Sequence, residues 1–165
     1  MRVGAGFGLE REHGKIKLRT VFVRRHMAAR DKIHELVKQA LIKDGWTITD
    51  DPFTIEFDAN TRVFADLGAE RLIAAQRDKE KIAVEIKTFG GYSPIHEMQS
   101  AMGQYLMYLS FLNRVEPERV LYLAISDTVY GHIFTRESFR FLVEQYTIKL
   151  IVVDIGNTEV VQWIN

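Results

Sequence analysis

The run VLYLAI, residues 120–125, is almost wholly apolar. A strand with that composition is expected to be covered on both faces, because neither row of its alternating side chains is suited to water. Ile33, Leu36, Val37, Ala40 and Leu41 follow one helix face, with Gly45 placed as a C-terminal cap, so the spacing predicts a helix over about 29–44. Ile95, Met98, Met102, Tyr105, Leu106, Leu109 and Leu112 predict a second helix reaching about Asn113, and a third is expected over 136–146.

Strands fill the intervals. Trp46–Thr49 and Thr54–Phe57 flank the turn Asp50-Asp51-Pro52; Val63–Gly68 and Glu70–Gln76 read as one bent strand; Lys81–Lys87 follows. Leu150–Val153 and Glu159–Ile164 close the chain. The order is helix, several strands, helix, strand, helix, two strands, which is a mixed α/β domain over residues 27–165 with no repeat and no internal linker. Residues 1–26 read differently. Gly4, Gly6 and Gly8 lack the preceding strand and the spacing of a phosphate loop, so a flexible tail is expected, with Lys15–Val23 as an added strand and Met27 as an alternative start.

Charge narrows the function. The first 26 residues hold seven Lys or Arg against two Glu, net +5, and the remainder holds 15 basic against 20 acidic residues, net −5. A mildly acidic folded part does not suit a broad basic face for DNA, so nucleic-acid contact must be local or shared with a partner. The chain has no cysteine, which removes disulfides, thiolate zinc sites and thiol nucleophiles. With no apolar run near the roughly 18 residues of a spanning helix, a cytoplasmic protein is expected.

The stretch KIAVEIKTF, residues 81–89, carries the chemistry. Side chains alternate along a strand, so Ile82, Val84 and Ile86 share one face while Glu85 and Lys87 share the other. By itself this is a common ion pair on a solvated face. Upstream, Asp66 stands in the strand-like VFADLG, where an aspartate is disfavoured and needs a partner or a task. If the two strands are neighbours, Asp66 and Glu85 converge on one hard cation beside Lys87. Two carboxylates and the Ile86 carbonyl offer oxygen ligands to Mg2+ or Mn2+, and a metal beside an ammonium group suits phosphodiester hydrolysis.

Asp66 followed after 19 residues by Glu85-Ile86-Lys87, between a first and a second helix, resembles the PD-(D/E)XK nuclease superfamily. The proline of that signature is absent, since Ala65 precedes Asp66. The resemblance implies a restriction-endonuclease-like core of helix, three strands, helix and strand, here extended by a C-terminal helix and two further strands. It also implies that Asp66, Glu85, Lys87 and Gln104 are catalytic, that Asp66, Glu85, the Ile86 carbonyl and Glu35 hold the metal, and that Tyr108 and His34 contact substrate. MAARDKIHELVKQALIKDGWTITDDP, ADLGAERLIAA, KIAVEIKTF, GQYLMY, RVLYLAI and the terminal WIN look more closely like the XisH family. That likeness implies a role in controlling excision of the fdxN DNA element of cyanobacteria during heterocyst development, together with an XisI-like companion protein.

Other chemistries fail on their own residues. His34-Glu35 and His96-Glu97 begin like a zincin motif, but Lys38 and Ser100 stand where the second histidine belongs. No G-x-S-x-G element and no P-loop lysine is present. Met98, Met102 and Tyr105 read as core, and Glu70 as a solvated neighbour of the site. Two classes of function remain: a metal-dependent DNA nuclease, and a regulatory or assembly module that binds XisI or a recombinase without cutting. The apolar last strands also suit a homodimer.

Overall fold

The computed structural model describes residues 18–63 and 72–165. Its elements are α1 (Leu18–Lys43), β1 (Thr47–Asp50), β2 (Ile55–Glu56), β3 (Arg62–Val63), β4 (Leu72–Arg77), β5 (Glu80–Ile86), α2 (Pro94–Val115), β6 (Arg119–Ser126), α3 (Asp127–Val129), α4 (Glu137–Gln145), β7 (Leu150–Asp154) and β8 (Glu159–Ile164). A π-helical turn, Tyr130–Phe134, joins α3 to α4. The result is the expected α/β architecture: six strands in the order β1-β4-β5-β6-β7-β8, with β2 and β3 as a separate hairpin.

The expected apolar strand is central. β6 pairs in parallel with both β5 and β7, while β1, β4 and β5 form an antiparallel meander and β8 returns antiparallel to β7. The two faces of the sheet carry separate cores. Ile73, Ala75, Ile82, Val84, Ile86, Tyr122, Ala124, Ile151 and Val153 pack with Val37, Ala40 and Leu41 of α1. Ala83, Leu121, Leu123, Ile125 and Leu150 pack with Met98, Ala101, Tyr105, Tyr108 and Leu112 of α2. Alternation decides which residue joins which core along β5 and β6.

α1 ends as its sequence predicts. Gly45 has φ +89°, its N–H donates to Ile42 O at 3.0 Å, and Trp46 N–H donates to Leu41 O at 3.0 Å. This is a Schellman motif, closed by the packing of Trp46 beside Leu41 in one core. At its other end α1 corrects an expectation. The backbone is helical from Leu18, so the later part of Lys15–Val23 is not an added strand. Its β-branched and aromatic residues favour a strand locally, but extending an existing helix adds one hydrogen bond per residue without a new nucleus.

β3 also differs from the sequence reading. Val63 pairs with Ile55 of β2, and the strand beside β5 is β4, beginning at Leu72. One bent strand across 63–76 is therefore not what the described residues form: their two ends serve different sheets. Residues 64–71, with Asp66 and Glu70, lie outside the described residues.

α2 starts where local chemistry permits. The Ser93 hydroxyl accepts from His96 N–H at 3.4 Å, and Pro94 takes the first turn, where no backbone donor is needed. The Tyr105 hydroxyl donates to Leu121 O at 3.1 Å and accepts from Lys149 N–H at 3.0 Å. One buried side chain thus ties α2 to β6 and to the approach to β7.

Candidate functional site

β5 ends at Ile86, and its register with β4 places Glu85 opposite Leu72. The Glu85 side chain shares a face with Ala83, beneath α2, and Lys87 N–H extends the ladder by donating to Ala124 O at 3.0 Å. Both charged residues are buried, Glu85 at 0 % exposure and Lys87 at 5 %. Lys87 Nζ stands 3.3 Å from Glu85 Oε1 and donates to Gln104 Oε1. Gln104 reaches it from α2, held over the sheet by Tyr105 beside it in sequence. Tyr108 lies one turn further along that helix and is 2 % exposed. The sequence residues Glu85, Lys87 and Gln104 are thus brought to one point at the end of a central strand.

That placement is energetically demanding. Taking a carboxylate and an ammonium out of water costs several kcal/mol per ion, which their attraction offsets only with good geometry. The pair was expected on the polar side of a half-covered strand; α2 covers that side too. A buried pair beside a side-chain amide at a strand end has the character of a chemical site rather than of a solubilising surface.

Ile86 occupies the last position of β5, its side chain in the opposite core. Its carbonyl therefore stands at the strand end next to the pair. Among the described residues no three acidic or imidazole side chains converge as a ligand set, and Asp66 lies outside them. The oxygens that are present, the Glu85 carboxylate and the Ile86 carbonyl, are hard donors of the kind that Mg2+ or Mn2+ takes, with no sulfur among them.

His34 and Glu35 enter a second cluster. His34 is 6 % exposed, and its Nε2 lies 3.0 and 3.1 Å from the two Asp51 oxygens, while Lys38 Nζ stands 2.7 Å from Asp51 Oδ2. Burial pushes the Asp51 carboxyl up, but hydrogen bonds from Lys38 and then His34 outweigh it and hold the group below the usual carboxylate range. Lys38 is correspondingly raised, first by its bond to Asp51. Glu35, with its side chain 57 % exposed, accepts from Gln39 at 3.0 Å and stands 3.6 Å from Lys38; those two contacts lower its carboxyl. Neither His34 nor Glu35 has a described contact with Glu85 or Lys87.

The two clusters nevertheless share an end of the sheet. β1 is antiparallel to β4, and β4 to β5, so β1 and β5 run the same way, and Asp50 stands across Ala74 from Ala83. Asp51, just past β1, is two strand spacings from β5, about 10 Å. Sequence reasoning missed Asp51 as the shared partner of His34 and Lys38. The only signal was Asp51 before Pro52, which reads as a turn.

The family model described as XisH protein matches residues 27–161. A crystal structure of an XisH family protein from Nostoc punctiforme PCC 73102 is 40 % identical, with a TM-score of 0.74, covering 81 % of this chain and 99 % of that one. A crystal structure of an fdxN element excision controlling factor protein from Anabaena variabilis is 42 % identical, with a TM-score of 0.74, covering 82 % of this chain and 99 % of that one. No curated protein matches the chain.

Proposed function

The chain belongs to the XisH family, and we propose that it controls excision of a DNA element as a metal-dependent phosphodiesterase of the PD-(D/E)XK kind. The observation that carries this reading is the buried Glu85–Lys87 pair, met by Gln104 at the end of β5. A pair worth so little to stability is retained at the strand end for what it does there.

In this reading Glu85, the Ile86 carbonyl, Asp66 and Glu35 would hold Mg2+ or Mn2+. Asp66 precedes Leu72 by six residues, and Leu72 is the rung partner of Glu85, so chain connectivity allows the approach. Such an ion, when bound, supplies Lewis acidity and offsets phosphate charge. Lys87 places its ammonium against a non-bridging phosphate oxygen, where negative charge grows as water adds to phosphorus; the P–O ester bond breaks, and the proton given up by the water reaches the departing ester oxygen through solvent. Gln104 orients Lys87 by accepting a hydrogen bond from its ammonium group. Tyr108 stiffens the wall of the site, and His34, fixed by Asp51, stands on the flank where the DNA strand passes.

The acidic balance of residues 27–165 favours a second reading: a regulatory or assembly module that binds an XisI-like companion or a recombinase in the cytoplasm, as monomer or homodimer, and leaves cutting to others. The deciding experiment incubates the full chain with plasmid, linear, single-stranded and branched DNA in Mg2+, Mn2+ or EDTA, with and without the companion protein. Nicking that requires metal and disappears in Glu85→Gln and in Lys87→Ala supports the phosphodiesterase. Silence from the wild type under every condition, companion included, would leave the binding module.

A further inference from the structure

The segment from Lys87 to Pro94 joins the candidate site to α2, and it is held at several points. Lys87 N–H donates to Ala124 O at 3.0 Å. Phe89, at φ +49° and 9 % exposed, packs edge-to-face on Phe134 with ring centroids 5.2 Å apart. Gly91 N–H donates to Glu97 Oε1 at 3.0 Å, and a Cβ at Gly91 would come within 3.1 Å of that carboxylate. Ser93 caps the helix. Amid these anchors Tyr92 is 100 % exposed, more than any other large hydrophobic side chain among the described residues.

An aromatic ring left wholly in water contributes nothing to this core, yet it is carried on the loop that leaves the site. Glu97, which anchors the loop, is seven residues before Gln104 on α2, so the loop lies about 10 Å along the helix from the Lys87 contact. That is roughly three nucleotides of a stacked strand at about 3.4 Å each. Electrostatics offers little help in gripping DNA here, because residues 27–165 carry a net charge of −5. Stacking on an aromatic ring needs no net charge and accepts any base, but the base must be out of its duplex stack.

We propose that Tyr92 is a stacking platform for an unpaired nucleobase a few nucleotides from the phosphate held at Lys87, so that the preferred substrate is single-stranded or locally opened DNA rather than intact duplex. The inference rests on the reading of the Glu85–Lys87 site as a nucleic-acid site. Tyr92 is a positioning residue and takes no part in the bond-breaking step.

The test measures binding separately from cleavage. Fluorescence anisotropy of the full chain, in EDTA and again with Ca2+, is compared for a single-stranded oligonucleotide, its duplex, and a duplex with a central bubble. The wild type should prefer the single strand and the bubble. Tyr92→Ala should lose on the order of 10-fold in affinity for both and leave duplex binding unchanged, while Tyr92→Phe, which keeps the ring, should match the wild type. Full exposure makes Tyr92→Ala nearly neutral for folding, so a lost affinity is a lost contact. If Tyr92→Ala binds within about 2-fold of wild type, or weakens all three DNAs equally, the stacking role is wrong. If the wild type binds no DNA at all, the nucleic-acid reading of the site falls and takes this inference with it. If Tyr92→Ala instead lowers the oligomeric mass in sedimentation without touching DNA affinity, the ring belongs to a protein interface and the proposal is overturned.

Discussion

Removing Lys87 alone, as Lys87→Met, should destabilise the protein by about 3–5 kcal/mol, whereas Glu85→Leu with Lys87→Met together should be neutral or stabilising by about 1–4 kcal/mol. The magnitudes follow from the geometry. At 3.3 Å and an effective dielectric constant near 20, the two charges attract by about 5 kcal/mol before hydration is counted. Each ion has given up several kcal/mol of hydration to reach 0 % and 5 % exposure, so the net worth of the intact pair is small. Lys87→Met leaves the Glu85 carboxylate with its burial cost and without the attraction of Lys87. Leu and Met are close in volume to the residues they replace, so the double variant removes both desolvation costs and leaves no large cavity, at the loss of the Lys87–Gln104 hydrogen bond. Urea denaturation of wild type, both single variants and the double variant, compared at equal m-values, gives the four corners of the cycle. A double variant as unstable as Lys87→Met, or a Lys87→Met loss below about 1 kcal/mol, would refute the argument that the pair is kept at the expense of stability. The double variant should also be inactive in the cleavage assay, which separates function from folding.

Three further outcomes are expected. Gln104→Leu removes the acceptor of Lys87 and should cost about 1–2 kcal/mol in thermal or urea unfolding; any metal-dependent nicking should fall at least 10-fold, because the ammonium is no longer oriented. Asp51→Asn should cost about 2 kcal/mol at neutral pH, since His34 and Lys38 lose a charged acceptor. The folded Asp51 carboxyl lies below its unfolded value, so its contribution is complete above about pH 4 and is lost as pH falls through the folded pKa; the wild-type pH–stability profile should be steeper below pH 4 than that of the variant. Tyr105→Phe deletes a hydroxyl that both donates to Leu121 O and accepts from Lys149 N–H, and a loss of about 1–3 kcal/mol in urea unfolding is expected with no change in secondary structure by circular dichroism.

Much of this protein was legible residue by residue. Gly45 announced the end of α1 because only a residue tolerant of positive φ completes that cap. VLYLAI announced a strand covered on both faces, and the alternation of KIAVEIKTF put Glu85 and Lys87 on one face and Ile82, Val84 and Ile86 on the other, as the two cores require. Gln104, placed by likeness to a nuclease pattern, does meet Lys87. These features depend on period and local propensity, which a chain displays along its own length.

What failed depended on partners distant in sequence. Lys15–Val23 read as a strand because a short window does not show that a helix already exists to be extended. The stretch from Val63 to Gln76 read as one element because β-propensity does not reveal which strand will be the neighbour, and β3 joined β2 while β4 joined β5. Asp51 passed for a turn residue, and only the packing of α1 across the end of β1 made it the anchor of His34 and Lys38. By itself, then, the sequence determined the order of elements, their faces, and the presence of an acid and a lysine on one row. Tertiary structure alone decided that this row is buried under α2, because the sign and size of an electrostatic cost depend on what covers the charges, and a helix that begins at Pro94 supplies that cover.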